Sequence, residues 1–279
     1  MRRGTPKRGA EARGANDEIE AEAAWNPTLG GKLPHKANMP LTIYPSERAM
    51  SAAYGALKDL ASFVACMVRP PCAPPVENVP PGDGHTVLVW PGFLTGDWAA
   101  RALVKWLRLV GYDAHGWGAG SNWGPTSACL KRCETLLDEA CERSGRKVTL
   151  IGRSLGGLYA RELAKDTPDK IVRVITLGTP IRFPVKTPLS PFVDALSPNF
   201  DPSFARRVAD LPRNPPVPIT AFHSRKDGIV PFASCLIEES AVAENIEIDS
   251  PHTIMGSNPV AMRAIAERLA RKHEVLPAA

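Results

Sequence analysis

The 279-residue sequence lacks any long uninterrupted apolar run. Crossing a bilayer takes roughly 20 apolar residues, and the stretch that comes closest, residues 49–68, is broken in its middle by Lys58 and Asp59. The basic residues near the start have no apolar stretch behind them, so a secretory signal is not expected. We therefore expect a cytoplasmic protein without stable membrane insertion, which leaves open only weak peripheral contact with a membrane surface.

Clustered charge of one sign is also missing. The formal net charge is +5, but acidic residues are interspersed among the basic ones of the N-terminal segment, and no run of like charges follows. Nucleic-acid-binding domains concentrate basic residues on one face, so we expect no nucleic-acid partner. Cys129 and Cys133 have no histidine at ligand spacing, which indicates reduced structural thiols and no zinc site. The oligomeric state is not readable from these features.

Composition divides the chain into three parts. Residues 1–45 are rich in Arg, Gly, Ala, Glu and Pro without periodicity, which predicts a disordered tail. Residues 46–83 are predicted to form an amphipathic helix and a Pro-rich linker. The apolar residues of this helix recur at helical spacing: Met50, Tyr54, Leu57, Leu60 or Ala61, Val64 and Met67. We expect the helix to pack on the main domain, residues 84–279, with a membrane-surface helix as the alternative.

From residue 86 onward, short β-branched runs alternate with helical patterns. The predicted strands are 86–90, 112–116, 147–152, 171–177, 217–222 and 245–248. The predicted helices are 97–109, 126–143, 155–165, 231–235 and 258–273. This alternation predicts an α/β fold, with a mostly parallel sheet of about six strands and helices on both faces.

Residues 180–216 break that alternation. They carry many prolines with phenylalanines scattered among them and show no clear periodicity. An irregular stretch of this length inside a compact domain is usually functional. We interpret it as a Pro-rich lid over an active site.

The strongest chemical signal is Gly152-Arg153-Ser154-Leu155-Gly156-Gly157. It follows a predicted strand and opens a predicted helix, as a G-x-S-x-G nucleophile turn requires. A chain that reverses so sharply needs small residues two before and two after the serine. The helix N-terminus also favours developing negative charge. Ser154 is therefore the predicted nucleophile.

A serine hydroxyl needs a base, and the base needs an orienting acid. Such groups lie beyond the carboxyl ends of strands in open α/β sheets. His252 follows the last predicted strand and Asp227 the one before it, in the expected chain order Ser, Asp, His. The other histidines are weaker candidates for the base: His35 lies in the tail, His85 precedes the first strand, His273 lies in the final helix, and His115 and His223, near strand ends, could line the pocket. The alternative acids are Asp194, Asp201 and Asp249.

The remaining parts of a site are less specific. Pro91-Gly92-Phe93 follows the first strand, where glycine allows close approach to a substrate oxygen. The backbone N–H groups of Phe93 and Leu155 are the predicted oxyanion-hole donors. Aromatic residues could form an apolar acyl pocket or belong to the core; the candidates are Trp90, Trp117, Trp123, Phe192 and Phe200.

The motifs together resemble bacterial lipase/esterase-like α/β-hydrolases. The resemblance rests on Val-Trp-Pro-Gly-Phe-Leu (89–94), Gly-Tyr-Asp-Ala-His-Gly-Trp-Gly (111–118), Gly-Arg-Ser-Leu-Gly-Gly (152–157), Thr-Leu-Gly-Thr-Pro (176–180) and Asp-Gly-Ile-Val-Pro (227–231). It covers roughly residues 84–273 and implies the α/β-hydrolase fold with a reduced sheet, ester hydrolysis and the triad above. Arg153 departs from the aromatic residue or histidine expected beside the nucleophile, which weakens the expectation of a long-chain lipase.

The predicted function is that of a serine hydrolase that cleaves small, apolar carboxylic esters through a covalent acyl-enzyme, without metal or cofactor. The same triad would serve a thioesterase, an amidase or an acyltransferase. An alternative of another class is a non-catalytic binding module on a hydrolase scaffold, which a serine-reactive probe would not label.

Overall fold

The computed structural model describes residues 47–68 and 73–271, so the predicted tail lies outside the described residues. Its centre is one sheet of six strands: Thr86–Trp90 (β1), Asp113–His115 (β2), Val148–Arg153 (β3), Ile171–Leu177 (β4), Ile219–His223 (β5) and Ala243–Glu247 (β6). The strand order is β2-β1-β3-β4-β5-β6 and all pairs are parallel. The predicted α/β fold with a six-stranded parallel sheet is confirmed.

Helices cover both faces of this sheet. The α-helices of the described residues are Glu47–Val68 (α1), Asp97–Val110 (α2), Ser127–Ser144 (α3), Leu155–Asp166 (α4), Ser190–Leu196 (α5), Pro202–Arg206 (α6), Phe232–Cys235 (α7) and Pro259–Leu269 (α8). One core cluster packs α3 and α4 on the sheet, and a second packs α2 and α8 on the sheet. Strands buried on both faces explain the nearly continuous apolar runs of β1 and β4.

The boundaries differ most at the last two strands and at the last helix, α8, which ends at Leu269 and not at the predicted residue 273. β5 begins at Ile219, two residues after the predicted start, because Pro218 has no N–H to give to a neighbouring strand. Within the described part of the chain, no helix is long and apolar enough to cross a membrane.

The connection between β4 and β5 is partly helical. Residues 180–216 contain α5, α6 and two short 3₁₀ turns, Ser197–Asn199 and Val208–Asp210. Hydrogen bonds fix it to the rest of the domain: Asp201 N donates to Pro125 O at 2.8 Å, and Lys165 Nζ donates to Asp210 O at 2.7 Å. Short helices were not predicted here because five- and seven-residue elements are too short to show a period.

The predicted N-terminal helix is present as α1, and it packs on the domain through a face that its apolar pattern did not indicate. Tyr54, Leu57, Leu60 and Val64 of the apolar stripe are exposed. Among the residues of α1 whose burial is described, Asp59 is the buried one, with 1% of its surface exposed. Burial of a carboxylate is tolerated only when its oxygens are hydrogen-bonded, and the domain supplies donors for both of them.

Candidate active site

Ser154 occupies the junction between β3 and α4 in a strained backbone conformation. Its φ is 50° and ψ −121°, a region that non-glycine residues avoid and that is found mostly at functional sites. Hydrogen bonds hold this conformation. Ser154 N donates to Leu177 O at 2.8 Å, and Ser154 O accepts from Gly157 N at 2.9 Å and from Thr179 Oγ1 at 3.0 Å.

The glycines around Ser154 are sterically required. A Cβ at Gly156 would lie 2.5 Å from Pro91 O, and one at Gly152 would overlap the backbone of Gly156 and Gly157. These two positions are two before and two after Ser154. The turn brings strand and helix so close together that no side chain fits between them.

Asp227 and His252 form a buried pair on neighbouring loops. Asp227 lies past β5, and His252 opens the 3₁₀ turn His252–Ser257 past β6. His252 Nδ1 and Asp227 Oδ2 are 2.6 Å apart, and both side chains are almost fully buried. Asp227 Oδ1 accepts from the N–H groups of Ile229 at 2.9 Å and Val230 at 2.7 Å. The carboxylate is therefore fixed from one side and bonded to the imidazole on the other.

Gly178 joins this pair to Ser154. It lies between Leu177 and Thr179, the two residues that bond the Ser154 backbone, and its φ is 58°. A Cβ on Gly178 would lie 2.9 Å from His252 Nδ1 and 3.1 Å from Asp227 Oδ2. Within the described part of the chain, no hydrogen bond joins Ser154 Oγ to His252; such bonds often tighten only when substrate is bound.

His115, His223 and two of the three alternative acids have other partners or environments than Ser154. His115 Nε2 contacts Asp113 at 2.6 Å, and burial lowers the pKa of His223, whose Nε2 lies 3.8 Å from a Glu247 oxygen. Asp249 pairs with Lys226 on the surface at 2.6 Å. Of the alternative acids, Asp201 caps α6 through Ser203 N, and Asp194 lies on a cavity wall.

The turn after β1 lies against Ser154. A Cβ on Gly92 would be 3.1 Å from Ser154 Cβ, which places Phe93 beside Leu155 at the start of α4. The buried side chain of Asn122 holds this turn, donating from Nδ2 to Pro91 O at 3.0 Å and accepting at Oδ1 from Tyr159 OH at 3.1 Å. The first N–H groups of a helix have no intrahelical partner, so the N–H of Leu155 remains available to a ligand.

A cavity of about 410 Å³ opens beside Ser154. Its lining is mostly apolar and comes largely from the β4–β5 connection, which also contributes Asp194; Phe93, Leu155 and Leu158 are among the other lining residues. This volume lies within the range of small-molecule sites, roughly 300–1,000 Å³. The site therefore combines a strained serine, a buried acid–imidazole pair and an apolar chamber.

Comparison with known proteins places the chain in a family. The sequence matches the alpha/beta hydrolase family over residues 79–277, which is most of its length. The chain belongs to the alpha/beta hydrolase family.

Several solved structures are similar to this chain. A metagenome-derived lipolytic enzyme is 17% identical with a TM-score of 0.52, covering 68% of this chain and 93% of that one. A monoacylglycerol lipase from Paleococcus ferrophilus is 18% identical with a TM-score of 0.49, covering 68% of this chain and 95% of that one. A thioesterase domain of the curacin biosynthetic pathway is 14% identical with a TM-score of 0.46, covering 66% and 91%. At these identities the likeness concerns the fold alone.

The structure of this alpha/beta hydrolase corrects the aromatic part of the predicted pocket. Trp90 and Trp117 are fully buried in the core cluster of α3 and α4, so neither is accessible to a substrate. Trp123 and Phe192 are 60% and 56% exposed and do not line the cavity. Of the five predicted residues, Phe200 alone lines it. Composition identifies aromatic residues but not the side of the sheet on which they lie.

Two polar residues at the site of this hydrolase were not predicted to contribute. Arg153 Nη1 donates to Thr253 O at 2.7 Å and Nη2 to Thr95 Oγ1 at 2.9 Å, which links the turn after β1 to the loop of His252. Burial lowers the pKa of the Arg153 guanidinium to about 10, and the negative charges of Asp59 and Asp227 act in the opposite direction. The second residue is Asp59, on a helix that lies outside the family match.

Proposed function

We propose that this alpha/beta hydrolase is a serine carboxylesterase acting on esters of apolar acids. The observation that carries the proposal is the strained Ser154 at the start of α4, beside the buried Asp227–His252 pair. Backbone strain of this kind is stable only where the surroundings hold it in place. Here three hydrogen bonds fix the backbone of Ser154, and two backbone N–H groups and the imidazole of His252 hold the Asp227 carboxylate.

In the proposed acylation step, His252 Nε2 takes the proton of Ser154 Oγ as that oxygen attacks the ester carbonyl carbon. Asp227 keeps the proton of His252 on Nδ1 through the 2.6 Å contact, which leaves Nε2 free to accept. The carbonyl oxygen becomes an oxyanion, and the backbone N–H groups of Phe93 and Leu155 would donate to it. The alcohol then leaves with the proton from His252.

In the proposed deacylation step, a water molecule attacks the acyl-enzyme. His252 Nε2 accepts a proton from that water, and the acid leaves as Ser154 Oγ regains its proton. The chemistry requires only these side chains and backbone donors, so no metal or cofactor enters the proposal.

The cavity supports an apolar acyl group as the preferred substrate. Its walls come mainly from leucine, valine, proline and phenylalanine side chains, with Asp194 as a carboxylate among them, so an anionic acyl chain would lose hydration there and would meet a like charge. Residues 180–216 supply most of these walls, and we propose that they act as the lid over the acyl group. The hydrogen bonds between this segment and the rest of the domain hold it in place as a fixed cover of the cavity.

The proposal is tested with the full-length protein and a panel of p-nitrophenyl esters from two to sixteen carbons. Matched thioesters and amides are assayed alongside. We expect kcat/KM to rise from acetate to medium-chain esters and to be lower for amides. Labelling of Ser154 by a fluorophosphonate, located by peptide mass analysis, is expected in parallel. A protein that neither turns over any of these compounds nor reacts with the probe would be a non-catalytic member of the family.

Phe200 provides a test of the acyl cavity. Phe200→Ala should lower kcat/KM for octanoate esters roughly tenfold while leaving acetate nearly unchanged, because full burial of such a side chain contributes about 1.5–3 kcal/mol. The measurement is the ratio of kcat/KM on the two esters.

Phe192→Ala is the matched control. It removes the same ring from the same connection, but this ring is exposed and does not line the cavity. Its ester ratio should equal that of the wild type. If both variants change the ratio alike, or if Phe200→Ala weakens hydrolysis of all esters equally, the cavity does not hold the acyl chain.

Gly178→Ala tests the placement of the pair relative to Ser154. A methyl group here would press on His252 Nδ1 and Asp227 Oδ2 and would also be strained at φ 58°. Displacement of about 1 Å in a catalytic group can cost about 100-fold in rate. We expect a loss of kcat of about that size.

Gly145→Ala separates backbone strain from steric clash. Gly145 directly follows α3 as its C-cap, with φ 63°, and nothing lies within 4 Å of the position that its Cβ would take. Both variants should lower Tm, since alanine at positive φ is strained, but Gly145→Ala should keep its kcat. Equal kcat in the two variants would refute the role of Gly178.

A further inference from the structure

The face that α1 turns to the domain is built for close contact with the loop of Asp227. Gly55 of α1 meets Gly228, and a Cβ on Gly228 would overlap the carbonyl of Gly55. A Cβ on Gly55 would lie 3.1 Å from Gly228 Cα. The two backbones therefore touch at a distance that side chains on both sides would prevent.

One carboxylate on this face bonds both loops of the candidate acid–base pair. Asp59 Oδ2 accepts from Gly228 N at 2.7 Å, and Gly228 directly follows Asp227. Asp59 Oδ1 accepts from Thr253 N at 3.0 Å, and Thr253 directly follows His252. Thr253 Oγ1 also donates to the backbone oxygen of Asp59 at 2.9 Å. Each oxygen of the carboxylate thus holds a different loop.

The loop that carries His252 and Thr253 is also bonded by Arg153. Its guanidinium donates to Thr253 O, so Thr253 is bonded to an anion through its N–H and to a cation through its carbonyl. A buried cation requires nearby negative charge, and Asp59 and Asp227 are the anions that stabilise Arg153. Arg153 adjoins Ser154 in sequence, so this network reaches all three candidate residues.

We propose that Asp59 is a positioning residue of the active site, which fixes Asp227 and His252 relative to each other and to Ser154. The helix that carries it, α1, lies outside the residues matched by the alpha/beta hydrolase family and yet forms part of the catalytic framework. This inference rests on the proposed function, since it assigns a role around the same triad. Asp59 touches no reacting atom and acts through Gly228 and Thr253.

The test compares Asp59→Asn with the wild type as full-length proteins. The amide keeps the shape of the side chain but offers one acceptor in place of two, so one loop loses its bond and Arg153 loses a counter-charge. We expect kcat to fall about 10- to 100-fold, with KM changed less than about twofold, because the acyl cavity is untouched. The fluorophosphonate labelling rate of Ser154 should fall by a similar factor.

Thr253 provides a second variant with a conservative rescue. Thr253→Val removes the hydroxyl that donates to Asp59 O and should lower kcat about tenfold. Thr253→Ser keeps the hydroxyl and should restore most of the rate. Leu57→Gln is the control on the same helix, since Leu57 is 63% exposed and faces away from the loops; its kcat should match that of the wild type.

An NMR measurement makes the result independent of turnover. The proton between His252 Nδ1 and Asp227 should give a protected imidazole N–H resonance in the wild type, identified by its loss in Asp227→Ala. We expect this resonance to shift or broaden in Asp59→Asn and to be unchanged in Leu57→Gln. A wild type inert towards all esters and the probe, but with this response in Asp59→Asn, would contradict the proposed function alone. Wild-type kcat and resonance in Asp59→Asn would overturn the positioning role alone.

Discussion

Ser154→Ala should abolish ester hydrolysis, with kcat lowered about a million-fold, because loss of the nucleophile in a Ser-His-Asp site typically has an effect of that order. The fold should persist, since alanine keeps the Cβ and the backbone bonds to Leu177 and Thr179 use main-chain atoms of residue 154. The measurements are kcat on a medium-chain ester, fluorophosphonate labelling and circular dichroism.

Ser144→Ala serves as the control for this variant. Ser144 ends α3 and bonds Ala140 O at 2.8 Å, and it does not line the cavity. It should retain both labelling and turnover. Residual hydrolysis near the wild-type rate in purified Ser154→Ala would remove this serine from the mechanism.

Asp227→Asn should lower kcat about 10,000-fold, the size of effect known when the acid of a triad becomes an amide. The structure gives the reason. The N–H groups of Ile229 and Val230 need an acceptor at the Oδ1 position, so the amide oxygen should remain there. The NH₂ group then faces His252 Nδ1, which can accept only when it carries no proton. The proton moves to Nε2, and the imidazole can no longer accept from Ser154.

Asp249→Asn is a stringent comparison for this variant. Asp249 is another acid near the same loops, but it pairs with Lys226 on the surface. Its loss should leave kcat within about twofold, since an exposed pair contributes roughly 0–1 kcal/mol. A large effect at Asp249 together with a small one at Asp227 would exchange the roles assigned to the two acids.

Elements with strong local patterns could be predicted from the sequence. Strands β1 and β4 have the predicted bounds, because nearly continuous runs rich in β-branched residues, set between turn residues, are typical of a strand buried on both faces. The G-x-S-x-G turn could also be predicted, because the glycines that it requires, Gly152 and Gly156, lie within two residues of Ser154. The closeness of Asp227 to His252 followed from chain order and the parallel sheet.

The packing of α1 could not be predicted in the same way. The spacing of its apolar residues indicated a different face from the one that contacts the domain. The domain binds the helix through hydrogen bonds to Asp59 and through the contact of Gly55 with Gly228, and not through the apolar stripe. A single buried aspartate produces no periodic signal, and Lys58 and Asp59 together resemble an exposed charged pair. The one available hint was the spacing of Gly55, Asp59 and Ser62, which places small and polar residues on one helical face.

The aromatic residues illustrate a second limit. Trp90 is buried in the core and Phe200 lines the cavity, although both are large apolar residues near predicted site segments. The different positions of these two residues depend on the face of the sheet to which β1 directs Trp90 and on the path of the chain from Phe200 into α6. Both are matters of three-dimensional packing between elements distant in sequence. The role of Asn122, which bonds the turn after β1, could not be predicted for the same reason.

The bonds of Asp59 join residues far apart in the sequence, 169 residues to Gly228 and 194 to Thr253. During synthesis α1 leaves the ribosome early, whereas its two partner loops are among the last parts of the domain to appear. Contacts between such distant segments form late, because the intervening chain must first be ordered. Assembly of the active-site loops is thereby linked to completion of the sheet, and a chain arrested before β6 would carry the nucleophile turn without its histidine.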